Sequence, residues 1–393
     1  MAPACVAGRA GARVRHRDAG LRSTAQRGNR TTDRRVPQRH AGRAEAYRVR
    51  LIRDAPAPQA TQRRHARADS ERFSRDARRL PYARTASDAC RIAHRPQNRD
   101  SSMTTDTLAL THHTVTANGI RQHFIDAGAG PVVVLLHGFP ETSFAWRFQI
   151  PALARHYRVI APDLRGYGET DKPAAGYDKR NMARDLAALL DALGIERIAL
   201  VGHDRGARVA TRFAKDFPER VERLVVMDNV PTRIVAQNMT AQTARAYWFF
   251  LFHQVPDLPE ALIAGKEAEW LGYFFADWCY NPHAIAGDAF DTYVRAYRRP
   301  GAVRGALADY RANAEDVQQD LVDADVRIAC PTMAIWGEDF YAVGKMFDMK
   351  AVWESMATNL RAEPIAQCGH LPHEEQPERV NALLLDFLRG WAG

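Results

Sequence analysis

Cysteine is scarce in this chain. Five are spread over 393 residues, at Cys5, Cys90, Cys279, Cys330 and Cys368. An odd, scattered set with no Cys-x-x-Cys pair excludes a disulfide framework and a zinc site, and it suits a reducing, cytoplasmic compartment. Long apolar runs are also missing. No stretch reaches 18 apolar residues, which excludes a membrane-spanning helix. No apolar segment follows the basic start, which argues against a secretory signal. Internal repeats and metal-ligand spacings are absent, so neither a metal nor a cofactor is expected.

Lysine is absent from residues 1–102, which hold 25 arginines against nine acidic residues, a net of +16. Residues 103–393 hold 30 basic and 37 acidic residues, a net of −7. The overall charge of +9 therefore belongs to the leader, and the body carries no signal for nucleic acid or a membrane surface. The leader lacks the apolar periodicity needed for a core and reads as disordered. Its arginine-rich, lysine-free composition resembles GC-rich upstream sequence translated through to a start at Met103. A basic arm and a transit peptide are the competing readings.

From about residue 111 the texture is that of a folded domain. His113 to Ala127 alternates around Asn118-Gly119, a hairpin turn signal. Pro131 to Leu136 is a continuous apolar run, as in a strand buried on both faces, and it ends in His137-Gly138-Phe139-Pro140. Tyr157 to Ala161 reads as the next strand. Asp178 caps a helix with Met182, Leu186, Leu189, Leu190 and Leu193 on one face and Gly194 past its end. Further strands are expected at Ile198 to Val201, Leu224 to Met227, Thr332 to Trp336 and Arg361 to Ala366, with a last helix from Pro377. Alternating strands and helices predict a doubly wound, mostly parallel α/β sheet with functional groups at the carboxyl ends of its strands. Residues 231–325 break the alternation and are rich in aromatics and helix formers. They read as a helical lid inserted into a core of 103–230 and 326–393.

The organising stretch is Arg197 to Gly206. An apolar strand runs into Gly202-His203-Asp204-Arg205-Gly206, and a helix follows with Ala207, Ala210 and Ala214 on one face. Strand, Gly-x-nucleophile-x-Gly, helix is the layout of a nucleophile elbow, and the residue in the nucleophile position is Asp204. Asp228 and His370, each just after a strand, complete the order nucleophile, acid, base. A carboxylate nucleophile suits displacement at an sp³ carbon, where a halide or an epoxide oxygen leaves and an alkyl ester forms. His370, oriented by Asp228, would activate the water that hydrolyses the ester. The backbone N–H groups of Phe139 and Arg205 are placed for the oxyanion. The guanidinium groups of Arg205 and Arg208, on the first turn after Asp204, suit a substrate that carries its own carboxylate. The competing reading of Asp204 is a helix N-cap. Glu338 and Asp339 compete with Asp228 for the acid role. His203 and His137 read as packed residues that shape the elbow and the oxyanion turn, and His373 and Glu374 as surface or supporting residues.

From Met103 onward the chain resembles the haloacetate and fluoroacetate dehalogenase family of α/β-hydrolases. The resemblance rests on His137 to Thr142, Asp163 to Gly168, Gly202 to Arg208, Asp228 to Thr232, Ala244 to Trp248, Asp309 to Ala312 and Gly369-His370. It implies an Asp nucleophile at 204, carboxylate-binding arginines at 205 and 208, an acid at 228, a His base at 370 and a halide pocket including Tyr310. In the fluoroacetate enzymes the segment resembling Ala244 to Trp248 continues with His and Trp, two halide donors. Here Phe249 and Phe250 follow, so the expectation is against fluoride as leaving group; Trp248 or His253 is the candidate substitute donor. The family reading is hydrolysis of small 2-haloacids, with Trp248, Phe249, Phe250 and Tyr310 around the substrate. Lid tyrosines support the alternative of an epoxide hydrolase using the same Asp-His-Asp plan, and a non-catalytic receptor on a hydrolase fold is the third reading. The partner expected is a small-molecule substrate, with no nucleic acid and no membrane; a homodimer is left open.

Overall fold

The computed structural model describes residues 110–391 and 393. The readings of the leader and of a start at Met103 lie outside the described residues.

Eight strands form one sheet in the order β1-β2-β4-β3-β5-β6-β7-β8. They are β1 Thr111–Ala117, β2 Ile120–Ala127, β3 Val132–Leu136, β4 Arg158–Pro162, β5 Ile198–His203, β6 Val221–Met227, β7 Thr332–Gly337 and β8 Leu360–Ile365. The hairpin β1–β2 turns at Asn118 and Gly119, both at positive φ as this tight turn requires. β2 pairs antiparallel with β4, and every pairing from β4 to β8 is parallel. Val134, Leu136, Ile198 and Leu200 face one core, and Val133, Leu135, Ala199 and Val201 face the other. Burial on both faces is why these strands read as unbroken apolar runs. Each of the Val, Leu and Ile side chains contributes roughly 1.5–3 kcal/mol through burial.

Helices cover both faces. On one lie α2 (Lys179–Ala192) and α3 (Asp204–Asp216). Asp178 caps α2 by accepting from the Asn181 N–H at 3.0 Å. On the other face lie α1 (Gln149–Leu153) and α14 (Pro377–Leu388), with Ile150, Leu153, Val380, Leu384 and Leu388 inward. Between β6 and β7 the chain makes eight helices: α4 Thr232–Gln237, α5 Ala241–Ala246, α6 Trp248–Gln254, α7 Leu258–Ile263, α8 Glu267–Trp278, α9 Asp288–Tyr297, α10 Ala302–Arg311 and α11 Asn313–Val322. They form the lid. After β7 come α12 (Met349–Met356) and α13 (Pro372–Glu375). No helix among the described residues is long and apolar enough to cross a membrane.

Candidate active site

The elbow joins β5 to α3 at Asp204, whose φ is +43°, a left-handed conformation costly for a residue with a side chain. Two glycines permit it. A Cβ on Gly202 would lie 2.6 Å from the Gly206 carbonyl oxygen, and one on Gly206 would lie 2.3 Å from the Leu136 carbonyl oxygen. Strand, helix and the end of β3 therefore touch through backbone alone. The oxyanion turn is equally close, since a Cβ on Gly138 would sit 2.6 Å from the Asp204 Cβ. The Arg205 N–H, in the first turn of α3, has no carbonyl four residues back within the helix.

Asp204, Asp228 and His370 come together beyond the carboxyl ends of the parallel strands β5, β6 and β8. His370 Nδ1 lies 2.5 Å from Asp228 Oδ2, and its Nε2 lies 3.8 Å from Asp204 Oδ2. The other oxygen of Asp228 accepts from the Gly337 N–H at 3.0 Å. Asp339 turns elsewhere, accepting from the Gln367 N–H and pairing with Lys345, and Glu338 is exposed. Burial opposes a charge on His370, but the nearby Asp204 carboxylate, the hydrogen bond to Asp228 and the negative charges of both prevail and push its pKa up to about 10. Burial also works against ionised Asp204, yet His370, Arg208 and His203 hold its pKa below the ordinary value. Asp228 goes the other way, raised by burial that its partners only partly offset.

The two arginines, both expected to hold substrate, differ in their surroundings. The Arg205 guanidinium is fully buried and committed. Its Nε donates to Asp309 Oδ2 at 3.0 Å, Nη1 to Asn313 Oδ1 at 2.9 Å, and Nη2 to the Asp309 Oδ1 and carbonyl at 2.6 and 2.7 Å. It also stacks on the Tyr310 ring at 4.6 Å. The physical reason is Asp309, a buried carboxylate that claims the nearest guanidinium as counter-ion. Arg208 does line the cavity. Nη1 donates to Thr232 Oγ1 at 2.5 Å, while Nε is buried without a partner. Burial and the neighbouring Arg205 charge lower its pKa, and Asp204 opposes that.

The cavity over Asp204 is walled by Arg208, Asp228, His370, Tyr247, Phe249, Phe250, Trp278 and Phe340, among others. Its volume is about 20 Å³. Phe249 and Phe250 are in its wall. Trp248 is not: it is exposed on the outer lid, stacked on Phe274, because its turn of α6 points outward. Tyr310 stands behind Phe249 and Phe250, with ring centroids 6.1 and 5.3 Å away, and its buried hydroxyl has no partner. Burial and the Asp204 charge both raise that phenol's pKa. Tyr247, a wall residue the sequence had offered only among many lid tyrosines, donates its hydroxyl to the Ala342 carbonyl at 2.6 Å.

Sequence reasoning missed the support beneath the site. Glu141 is fully buried and bonds to His203 Nδ1 at 2.9 Å through one oxygen and His373 Nε2 at 3.0 Å through the other. His203 Nε2 lies 2.8 Å from the His370 carbonyl oxygen. These atoms of Glu141, His203 and His373 crowd within 4.8 Å of one another, and hydrogen bonds take up the crowding. His373 and Glu374 are thus buried rather than superficial; Glu374 bonds to Arg147 and Tyr293. Asn229, whose Nδ2 donates to the Asp204 carbonyl at 3.1 Å, was also unassigned. The available signal was position: each lies within four residues of a triad member or in the oxyanion turn.

Residues 131–377 match the family model of the alpha/beta hydrolase fold. The chain is an α/β-hydrolase. This α/β-hydrolase is 36% identical over 282 residues to the soluble epoxide hydrolase of Corynebacterium sp. (strain C12), a match spanning 71% of this chain and 97% of that one. It is 35% identical over 269 residues to a fluoroacetate dehalogenase of Burkholderia sp., spanning 66% and 88%. Among solved structures, wild-type Cfl2 of Burkholderia cenocepacia matches with a TM-score of 0.66 and 39% identity, over 71% of this chain and 95% of that one. The chain is thus an α/β-hydrolase related to both epoxide hydrolases and dehalogenases.

Proposed function

We propose that the chain hydrolyses the carbon–halogen bond of small 2-haloacids through an ester of Asp204. The observation that carries this reading is Arg208. A buried guanidinium with one neutral hydroxyl as its hydrogen-bond partner, on the wall of a cavity it shares with Asp204, is a receptor for a small carboxylate. The cavity is narrow, so a small acid needs the least widening to enter it.

In this mechanism ionised Asp204 attacks the carbon bearing the halogen. The carbon–halogen bond breaks, its electron pair leaves with the halide, and an aspartyl ester remains. Alkylation removes one of the two charges that keep His370 protonated, so its pKa falls and the ring becomes a base. His370 then takes a proton from water, which adds to the ester carbonyl. The oxyanion is met by the N–H groups of Phe139 and Arg205. Collapse returns the proton to the departing 2-hydroxyacid oxygen and regenerates Asp204.

A second reading, epoxide hydrolysis, is supported by Tyr247 and Tyr310, two buried phenols that both feel the Asp204 charge, and by the Corynebacterium relative. The three described cysteines are free, which supports a reducing compartment such as the cytoplasm.

The deciding experiment offers chloroacetate, bromoacetate, fluoroacetate and styrene oxide in parallel. Halide release, lost in Asp204→Asn and replaced by a mass adduct on Asp204 in His370→Ala, is the expected result. Diol from styrene oxide with no halide from any acid would move the assignment to epoxide hydrolysis. Phe249 and Phe250 lead us to expect chloride and bromide release to exceed fluoride release.

A further inference from the structure

His203 sits directly beneath the triad, and its two ring nitrogens face two acceptors. Nδ1 is 2.9 Å from a Glu141 carboxylate oxygen, and Nε2 is 2.8 Å from the His370 carbonyl oxygen. A carbonyl only accepts, so Nε2 carries a proton. An ionised carboxylate only accepts, so Nδ1 carries one too. His373 offers Glu141 a single N–H and leaves its other nitrogen unpartnered, so it is satisfied as a neutral ring. This set is then balanced by one anion, Glu141, and one cation, His203.

We propose that His203 is a permanent imidazolium, locked by Glu141, that positions His370 and sets the pH range over which His370 gives up its proton. It acts through another group and is a positioning residue. The inference rests on the reading of His370 as the base. Geometry carries it. The His203 ring centroid is 4.9 Å from that of His370 and 4.5 Å from that of His373. The groups facing His203 come from every strand end around it: Glu141 and His137 from the oxyanion turn, Asp204 from the elbow, Asp228 after β6, and His370 and His373 from the last loop. Those facing His370 are Asp204, Asp228 and His203, with uncharged Trp278 and Phe340 closing the shell. The directions agree, since His203 lowers the pKa of both Asp204 and Asp228 and Glu141 is held well below the usual range by its two histidines despite its burial. A fixed positive charge there works against the two carboxylates that hold a proton on His370. It also anchors the His370 backbone through the carbonyl.

The test is a ¹⁵N NMR titration of the histidine side chains in the full chain, which needs no turnover. His203→Gln identifies the signals and keeps a donor while deleting the charge. In the unaltered protein both His203 nitrogens are expected to stay protonated through the neutral range. In His203→Gln the His370 midpoint is expected to rise by roughly one pH unit or more, as for a unit charge removed from about 5 Å. Glu141→Gln, which leaves His203 in place but deprives it of its counter-ion, should give a smaller rise in the same direction and serves if His203→Gln does not fold. A bare His203 Nδ1 in the unaltered protein, or an unmoved His370 midpoint in a folded variant, overturns the proposal. The functional reading fails separately, through the absence of halide in the substrate panel.

Discussion

Arg205 and Arg208 share a side-chain type, a helix and a neighbourhood, yet the fold gives them different partners. Spacing after Asp204 made both look like substrate ligands. What separates them is a residue more than 100 positions downstream: Asp309 in α10 takes the Arg205 fork in full, and nothing local to the elbow reports that. Arg208 has no such carboxylate bonded to it and stands in the cavity wall, where the proposed reaction needs a cation. Arg208→Gln is expected to lower kcat/KM for a haloacid roughly 30-fold, the worth of about 2 kcal/mol of charge-assisted hydrogen bonding, mostly through KM. Any turnover of styrene oxide, which has no carboxylate, should change little. Steady-state kinetics on both substrates check this. The elbow, the oxyanion turn and the Asp228–His370 pair were legible because each is a local motif at a strand end. The Glu141–His203–His373 set was not, because hydrogen bonds between three loops leave no periodic trace in the chain.

Among the elements, strands were easiest to read. The apolar runs of β3, β5 and β7 announce burial on both faces, and each observed strand shares one end with the expected one and differs by one or two residues at the other. The lid was legible only as a break in alternation, since eight short helices packed by aromatics have no single period. How the lid is fixed could not be read at all. Arg205 of α3 and Lys179 of α2 meet Asp309 of α10 and Asp316 of α11 in a buried cluster with two charges of each sign. Such a cluster matters most when one member is lost, because an unmatched charge stays behind. Asp309→Asn is therefore expected to cost about 3–5 kcal/mol, read as a lowered urea midpoint, and Arg205→Gln a similar amount. A fall of kcat/KM with unchanged stability in Arg205→Gln would restore this arginine to the substrate.

For the molecule as a whole, buried histidines set the response to pH. His253 in α6 is enclosed with both ring nitrogens unpartnered. Burial, then the Arg205 and Arg311 charges, push its pKa down to about 3. Burial likewise takes His373 down to about 4 against the pull of Glu141. Unfolded histidine titrates near 6.5, so these neutral rings contribute stability that is present above about pH 6.5 and lost as pH falls toward 3. His370 has the opposite sign: its contribution is complete below about 6.5 and disappears as pH rises through about 10. Melting temperature against pH should therefore fall on both sides. His253→Phe, which suits a position beside Phe139, Trp270 and Phe274, should flatten the acid side alone. A chamber with room for scarcely one water must widen, through movement of its lid wall, before the proposed acid can enter or its halide leave. For the proposed reaction, throughput then depends on how often the chamber opens. Competing acids would be sorted at the threshold by bulk before Arg208 could tell them apart by charge.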